Sequence, residues 1–286
     1  MRKRSRRPVV AGYFYPDKRD KLVETIEWCF KHSLGPGNLP QVSDTRIKNS
    51  IGYVVPHAGY IYSGPIAAHA YYDMALEGVP ETVVIIGTNH TGYGKPVSIY
   101  PEGTWETPLG ELHIDSELGK RVVEYSELAD FDVEAHLEEH SVEVQLPFIQ
   151  YVYDGRVRVL PIVMGLHTPE AARDLARALI NATRDLGRDV IILSSSDFNH
   201  YEPHSTTVEK DMLAIRRILE LNSEGFYNVM LEHNISICGP GGIMTLIEVA
   251  KSMGARCTLL KHATSGDTWG DKSAVVGYAS IKFHLR

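Results

Sequence analysis

The chain has 286 residues, 43% of them apolar and 23% charged, with a net charge of -7. This is the composition of a folded globular protein, and it excludes a disordered chain, a coiled coil and a collagen-like fibre. No apolar run nears the roughly 20 residues of a membrane helix, no secretory leader follows the basic N-terminus, and the acidic balance argues against nucleic acid as a partner.

The first seven residues carry Arg2, Lys3, Arg4, Arg6 and Arg7 and read as a solvated basic tail. Without repeats or long linkers, the chain reads as one domain over 1–286 with that tail at 1–7. Leu22, Ile26 and Phe30 recur at helical spacing within 17–32. Residues 51–55 (IGYVV) have a strand's composition, and 64–77 read as a helix with Pro65 in its first turn. TVVIIG at 82–87 suits a strand buried on both faces. A strand is expected at 96–100, a helix at 115–125 and another at 141–153, where Pro147 limits or kinks it. VRVLPIV at 157–163 reads as a strand whose Pro161 belongs near an edge or bulge.

The helix signals are clearest from Pro169 to Leu186. Thr168 stands at its N-cap, Pro169 at its first position and Gly187 past its end. Residues 189–197 begin as a buried strand, helices follow near 206–221 and 241–253, and 273–283 alternate like a strand. The alternation predicts an α/β fold with a mostly parallel central sheet flanked by helices.

In such sheets ligands bind beyond the carboxyl ends of the strands. Three predicted strands run into Pro56-His57, Asn89-His90 and Asn199-His200. Parallel neighbours would gather His57, His90 and His200 at one edge, as three imidazole ligands with an open position for zinc, iron or copper. Asp197 is placed to orient one of these imidazoles, to ligate, or to close an Asx-turn. In Glu138-Glu139-His140-Ser141-Val142-Glu143, His140 is a candidate acid or base with Glu143 orienting it, or the segment is a capped, solvated helix terminus. Cys238 precedes Gly239-Pro240-Gly241-Gly242 and a helix start, which would lower a thiol pKa. It reads as a nucleophile, a ligand, a redox-sensitive thiol, or a small buried residue in a turn. Cys29 and Cys257 read as core. Three widely spaced cysteines make no disulfide framework and fit a reducing, cytoplasmic setting.

The segments RRPVVAGYFYP (6–16), PHAGYIYSG (56–64), GTNHTGYG (87–94), EEHSVEVQLPF (138–148), SSSDFNHY (194–201), CGPGGI (238–243) and ATSGD (263–267) together resemble the Memo family. They run in order along nearly the whole chain. The family is similar in fold to class III extradiol ring-cleaving dioxygenases. The resemblance implies one α/β domain with a metal-capable cleft, metal ligands at His57, His90 and His200, and Asp197, His140 and Cys238 beside them. It also implies a pathway link to radical-SAM and AMMECR-like proteins. The related dioxygenases hold iron(II) with two histidines and a carboxylate, whereas this sequence offers a third histidine. The leading expectation is a metal-dependent oxidoreductase using iron or copper on an unknown small molecule or peptide. The alternatives are a non-catalytic module binding a peptide or an anion, and a zinc-dependent hydrolase.

Overall fold

The computed structural model describes residues 5–285. Strand β1 (Ser5–Arg6) is followed by α1 (Arg19–Lys31), β2 (Ser50–Val55), α2 (Tyr60–Leu76) and β3 (Thr82–Thr88). Shorter pieces come next: β4 (Val97–Ile99), β5 (Thr104–Thr107), β6 (Gly110–His113), α3 (Ser116–Tyr125), β7 (Ala129–Phe131) and α4 (Glu134–Leu137). A 3-10 turn at Glu143–Gln145 leads into α5 (Leu146–Tyr153), β8 (Arg158–Met164), α6 (Pro169–Leu186) and β9 (Val190–Ser195). The remainder holds β10 (His200–Glu202), α7 (His204–Leu219), α8 (Ser223–Glu232), α9 (Pro240–Ser252), β11 (Arg256–Thr264), α10 (Ser265–Trp269) and β12 (Val275–His284).

Among the described residues, one nine-stranded sheet runs β10-β12-β2-β9-β3-β8-β4-β7, with β11 also paired to β12. Its centre, β2-β9-β3-β8, is parallel as expected. The flanks bring antiparallel pairs, β12 on β2 and β4 on β8, so the sheet is mixed. A small second sheet, β1-β5-β6, lies apart.

Alternation along the central strands divides the core between two faces. Val54, Val84, Ile86, Leu160 and Ile192 pack on one side against α3, α6 and α9. Tyr53, Val55, Val83, Ile85 and Leu193 pack on the other against α1, α2 and α5. The helices on the second face approach closely. A Cβ at Gly64 of α2 would come 2.3 Å from Cys29 Sγ of α1, so Gly64 leaves room for that buried cysteine.

Helix α6 carries the cap foreseen for it: the Thr168 side chain accepts from Ala171 N–H and Gly187 is left-handed. Two proline placements differ from expectation. Helix α2 starts at Tyr60, so Pro65 lies inside it rather than in its first turn. Pro161 sits in an inner strand. Its carbonyl accepts from Tyr100 N–H, so its ring nitrogen faces the same side, where it cannot return the second bond of that pair, and the β4 ladder ends at Ile99.

The basic tail also differs. Arg2, Lys3 and Arg4 lie outside the described residues, but Arg6 is buried. Its guanidinium donates to Glu143 Oε2 at 2.7 Å, to the Glu139 carbonyl at 2.7 Å and to the His136 carbonyl at 2.6 Å, and it lies over the Trp105 ring. Among the described residues no helix is long and apolar enough to cross a membrane.

Candidate metal centre

Parallel β2 and β3, with β9 between them, end at the same edge of the sheet. His57 follows β2 by two residues and His90 follows β3 by two. A third histidine joins them from a different kind of segment. His140 lies in the loop between α4 and the 3-10 turn, and this loop presses onto the end of β3. A Cβ at Gly87 would lie 2.4 Å from Ser141 Oγ, so the approach depends on that glycine. Ser141 Oγ both accepts from Thr88 N–H and donates to the Thr88 carbonyl.

The result is a group in which His57, His90 and His140 each offer a ring nitrogen, all within 4.8 Å of one another. The His90 and His140 rings stack at 4.5 Å, and His57 stands edge-on to both at 5.4 Å. His57 is 2% exposed. Burial, and then the neighbouring His90, push its pKa down to about 3. Burial, and then His57, push His140 down to about 4. Both rings therefore keep a lone pair at neutral pH.

The partners of these rings fix which nitrogen is free. Ser195 Oγ gives its hydrogen to the Ser141 carbonyl at 2.6 Å and accepts from Gln145 Nε2 at 2.8 Å. Its contact with His57 Nδ1 at 3.0 Å is then one in which the imidazole donates, leaving Nε2 as the lone-pair nitrogen. Glu139, fully buried, accepts from His90 Nδ1 at 2.8 Å and leaves His90 Nε2 free. The same carboxylate accepts from the main-chain N–H groups of His90, His140 and Ser141. Burial opposes its charge, but the His90 bond and these N–H groups outweigh it and hold the carboxyl at about 2.

The other candidates take different places. Asp197 accepts from His57 N–H at 2.8 Å, so it positions the main chain of His57 rather than its ring. Burial raises its pKa. Cys238 Sγ lies 3.2 Å from His57 Nε2 and accepts from Asp197 N–H at 3.1 Å. Burial, and then the charge of Asp197, push the thiol well above its ordinary pKa, against the lowering expected from the helix start.

His200 is not in the group of three. It lies five residues beyond β9, at the start of β10. There its N–H donates to Ser236 Oγ and its Nδ1 donates to the Ser236 carbonyl at 2.6 Å. Glu143 does not orient His140, because it is tied to Arg6, Tyr15 and the N–H groups of Val9 and Val10. The 138–145 segment is accordingly buried at Glu139, Ser141 and Glu143 rather than a solvated helix end. His167, three residues past β8, was not singled out in the sequence, yet its Nε2 lies 2.9 Å from Thr88 Oγ1 and its Nδ1 accepts from Gly241 N–H. The strand-end rule that picks out His57 and His90 would have found it.

Three imidazoles with converging ring nitrogens, two of them oriented by a carboxylate and a hydroxyl and one within reach of the Cys238 thiol, fit a borderline metal ion such as zinc, iron or copper. The Memo-like protein family model matches residues 6–282. The chain belongs to the Memo-like family. It is 62% identical to a MEMO1 family protein of Desulfurococcus amylolyticus over the full length of both chains. A MEMO1 family protein of Ignicoccus hospitalis is 56% identical, with 98% of this chain and 99% of that protein covered. A solved structure of an uncharacterized Escherichia coli K12 protein matches with a TM-score of 0.52 at 14% identity, covering 80% of this chain and 98% of that one. That last likeness is one of fold. The Memo-like chain thus combines an α/β scaffold with a three-histidine group able to hold a metal ion.

Proposed function

We propose that this chain is a metal-dependent oxidoreductase of dioxygenase type, with iron or copper held by His57, His90 and His140. The observation that carries the reading is the convergence of three imidazole nitrogens within 4.8 Å. A redox metal bound there supplies electron transfer and Lewis acidity. The chain's own residues orient and protect the donors. Glu139 and Ser195 each take the Nδ1 hydrogen of one ligand and so keep its Nε2 available. Cys238, beside His57 Nε2, is a fourth donor within reach.

The roles expected for His140 and His200 exchange in this reading. His140 joins the donors, and His200 becomes the proton carrier. Its Nδ1 is committed to the Ser236 carbonyl, which leaves Nε2 to take a proton from substrate or return one.

Elemental analysis of protein purified without an affinity tag tests this. The expected result is close to one iron or copper per chain in the wild type and in His200→Ala, and loss of the metal in His57→Ala, His90→Ala and His140→Ala. Stoichiometric zinc would redirect the reading to hydrolysis. A wild type that holds no metal after reconstitution would favour the module binding a peptide or anion.

A further inference from the structure

A cavity of about 430 Å³ opens at the opposite end of the parallel strands from the histidines. Its floor includes Ile51 and Ile192, near the starts of β2 and β9. Its walls include Leu179 of α6, Val249 of α9 and Met253. The volume falls within the roughly 300–1,000 Å³ of small-molecule sites, and the predominantly apolar lining is of the same kind.

The polar part of the lining is unbalanced. Among the described residues it holds Arg46, Lys48, Arg184 and Arg188 against one carboxylate, Asp189. Arg46 is engaged by Asp189 through a fork of 2.8 and 3.0 Å. Arg188 pairs with Asp115 and Glu117. Two cations remain. Lys48 lies 3.8 Å from an Asp189 that Arg46 already occupies. Arg184 bonds the side-chain oxygen of Asn181 and has no ion pair among the described residues. The carbonyl ends of α6 and α9 reach the same region with partial negative charge, but the N–H groups of Gly187, Arg188 and Met253 close them. An anion here would be held by the two side chains.

We propose that this cavity binds an amphipathic anion, a medium-length acyl chain bearing one carboxylate. The apolar lining takes the chain, and Lys48 and Arg184 take the head. The site is independent of the metal.

Calorimetric titration of the full chain with laurate, and separately with dodecanol, tests the proposal. Saturable laurate binding is expected, tighter than that of dodecanol and unchanged when metal is removed by chelation. The double variant Lys48→Glu/Arg184→Glu, at two surface positions, is expected to bind laurate about tenfold more weakly and dodecanol as before. Val249→Trp, which fills the cavity, is expected to lose both, with circular dichroism checking its fold. The proposal is overturned if the wild type shows no saturable laurate binding, or if dodecanol binds as tightly. It is also overturned if the charge-reversed variant keeps its laurate affinity, or if a folded Val249→Trp still binds.

Discussion

Glu139 gathers N–H groups from two separate segments onto one buried carboxylate: His90 on one side, His140 and Ser141 on the other. It is thus the hinge pin between two of the three candidate ligands. Glu139→Gln keeps the shape but removes the charge and turns half the acceptor into a donor, so His90 loses its fixed orientation. Metal affinity is expected to fall about 10- to 100-fold, read by competition with a chromophoric chelator. The histidines also set an acid limit. Burial leads the shifts that hold His57 and His136 at about 3 and His140 and His167 at about 4. The unfolded chain binds these protons near pH 6.5 and the folded chain does not. Their contribution to stability is therefore complete above about pH 6.5 and is lost as pH falls toward 3 to 4. The slope is at most roughly 1.4 kcal/mol per pH unit for each histidine. Glu139 adds a loss in the same direction between its ordinary value and about 2. Urea unfolding of metal-free protein should show a marked drop from pH 7 to pH 5.

At the scale of elements, the strand-to-loop junctions decide what the sequence can reveal. His57 and His90 were readable because a buried strand ends two residues before each, which leaves the chain little freedom to turn away. His200 is read by the same rule, but four residues separate it from β9, enough for Phe198 N–H to bond the Gly277 carbonyl and for β10 to begin at His200. His140 reads from the residues as an acid or base, and the resemblance sets it beside His57 and His90, but nothing in the sequence marks it as the third donor of the group. No strand precedes it, and its position rests on a long-range contact at Gly87 that leaves no local pattern. The two-residue strand β1 was equally hidden, because its stability comes from Arg6 and from pairing with β5 rather than from periodicity. Arg6→Ala would leave Glu143 buried and without its ion-pair partner, with an expected cost of about 3–5 kcal/mol in urea unfolding. Its effect on metal content should follow, since Arg6 also holds the carbonyls of His136 and Glu139 on either side of the loop that leads to His140.

For the whole molecule, the parallel centre of the sheet was legible because βαβ units announce themselves by buried β-branched runs separated by amphipathic helices. The antiparallel flanks were not. Strand β12 lies beside β2, more than two hundred positions away in sequence, and the pairing is fixed by hydrogen bonds that composition does not encode. The sheet that results is functional at both ends in the present proposals, with imidazoles beyond the carboxyl ends of its strands and an apolar, cation-rimmed cavity at the amino ends. The connecting strands β2 and β9 run from one to the other, so the two sites share a scaffold without sharing a residue.

The sheet order has a consequence for how the centre comes into being. Strand β9 separates the strands that deliver His57 and His90, yet it is synthesised after all three histidines. A nascent chain that has just completed α5 already contains every imidazole of the group but lacks the spacer that sets the distance between two of them. The ligands are made early and brought into register late, so capture of an ion by the finished geometry waits on the insertion of a single later strand.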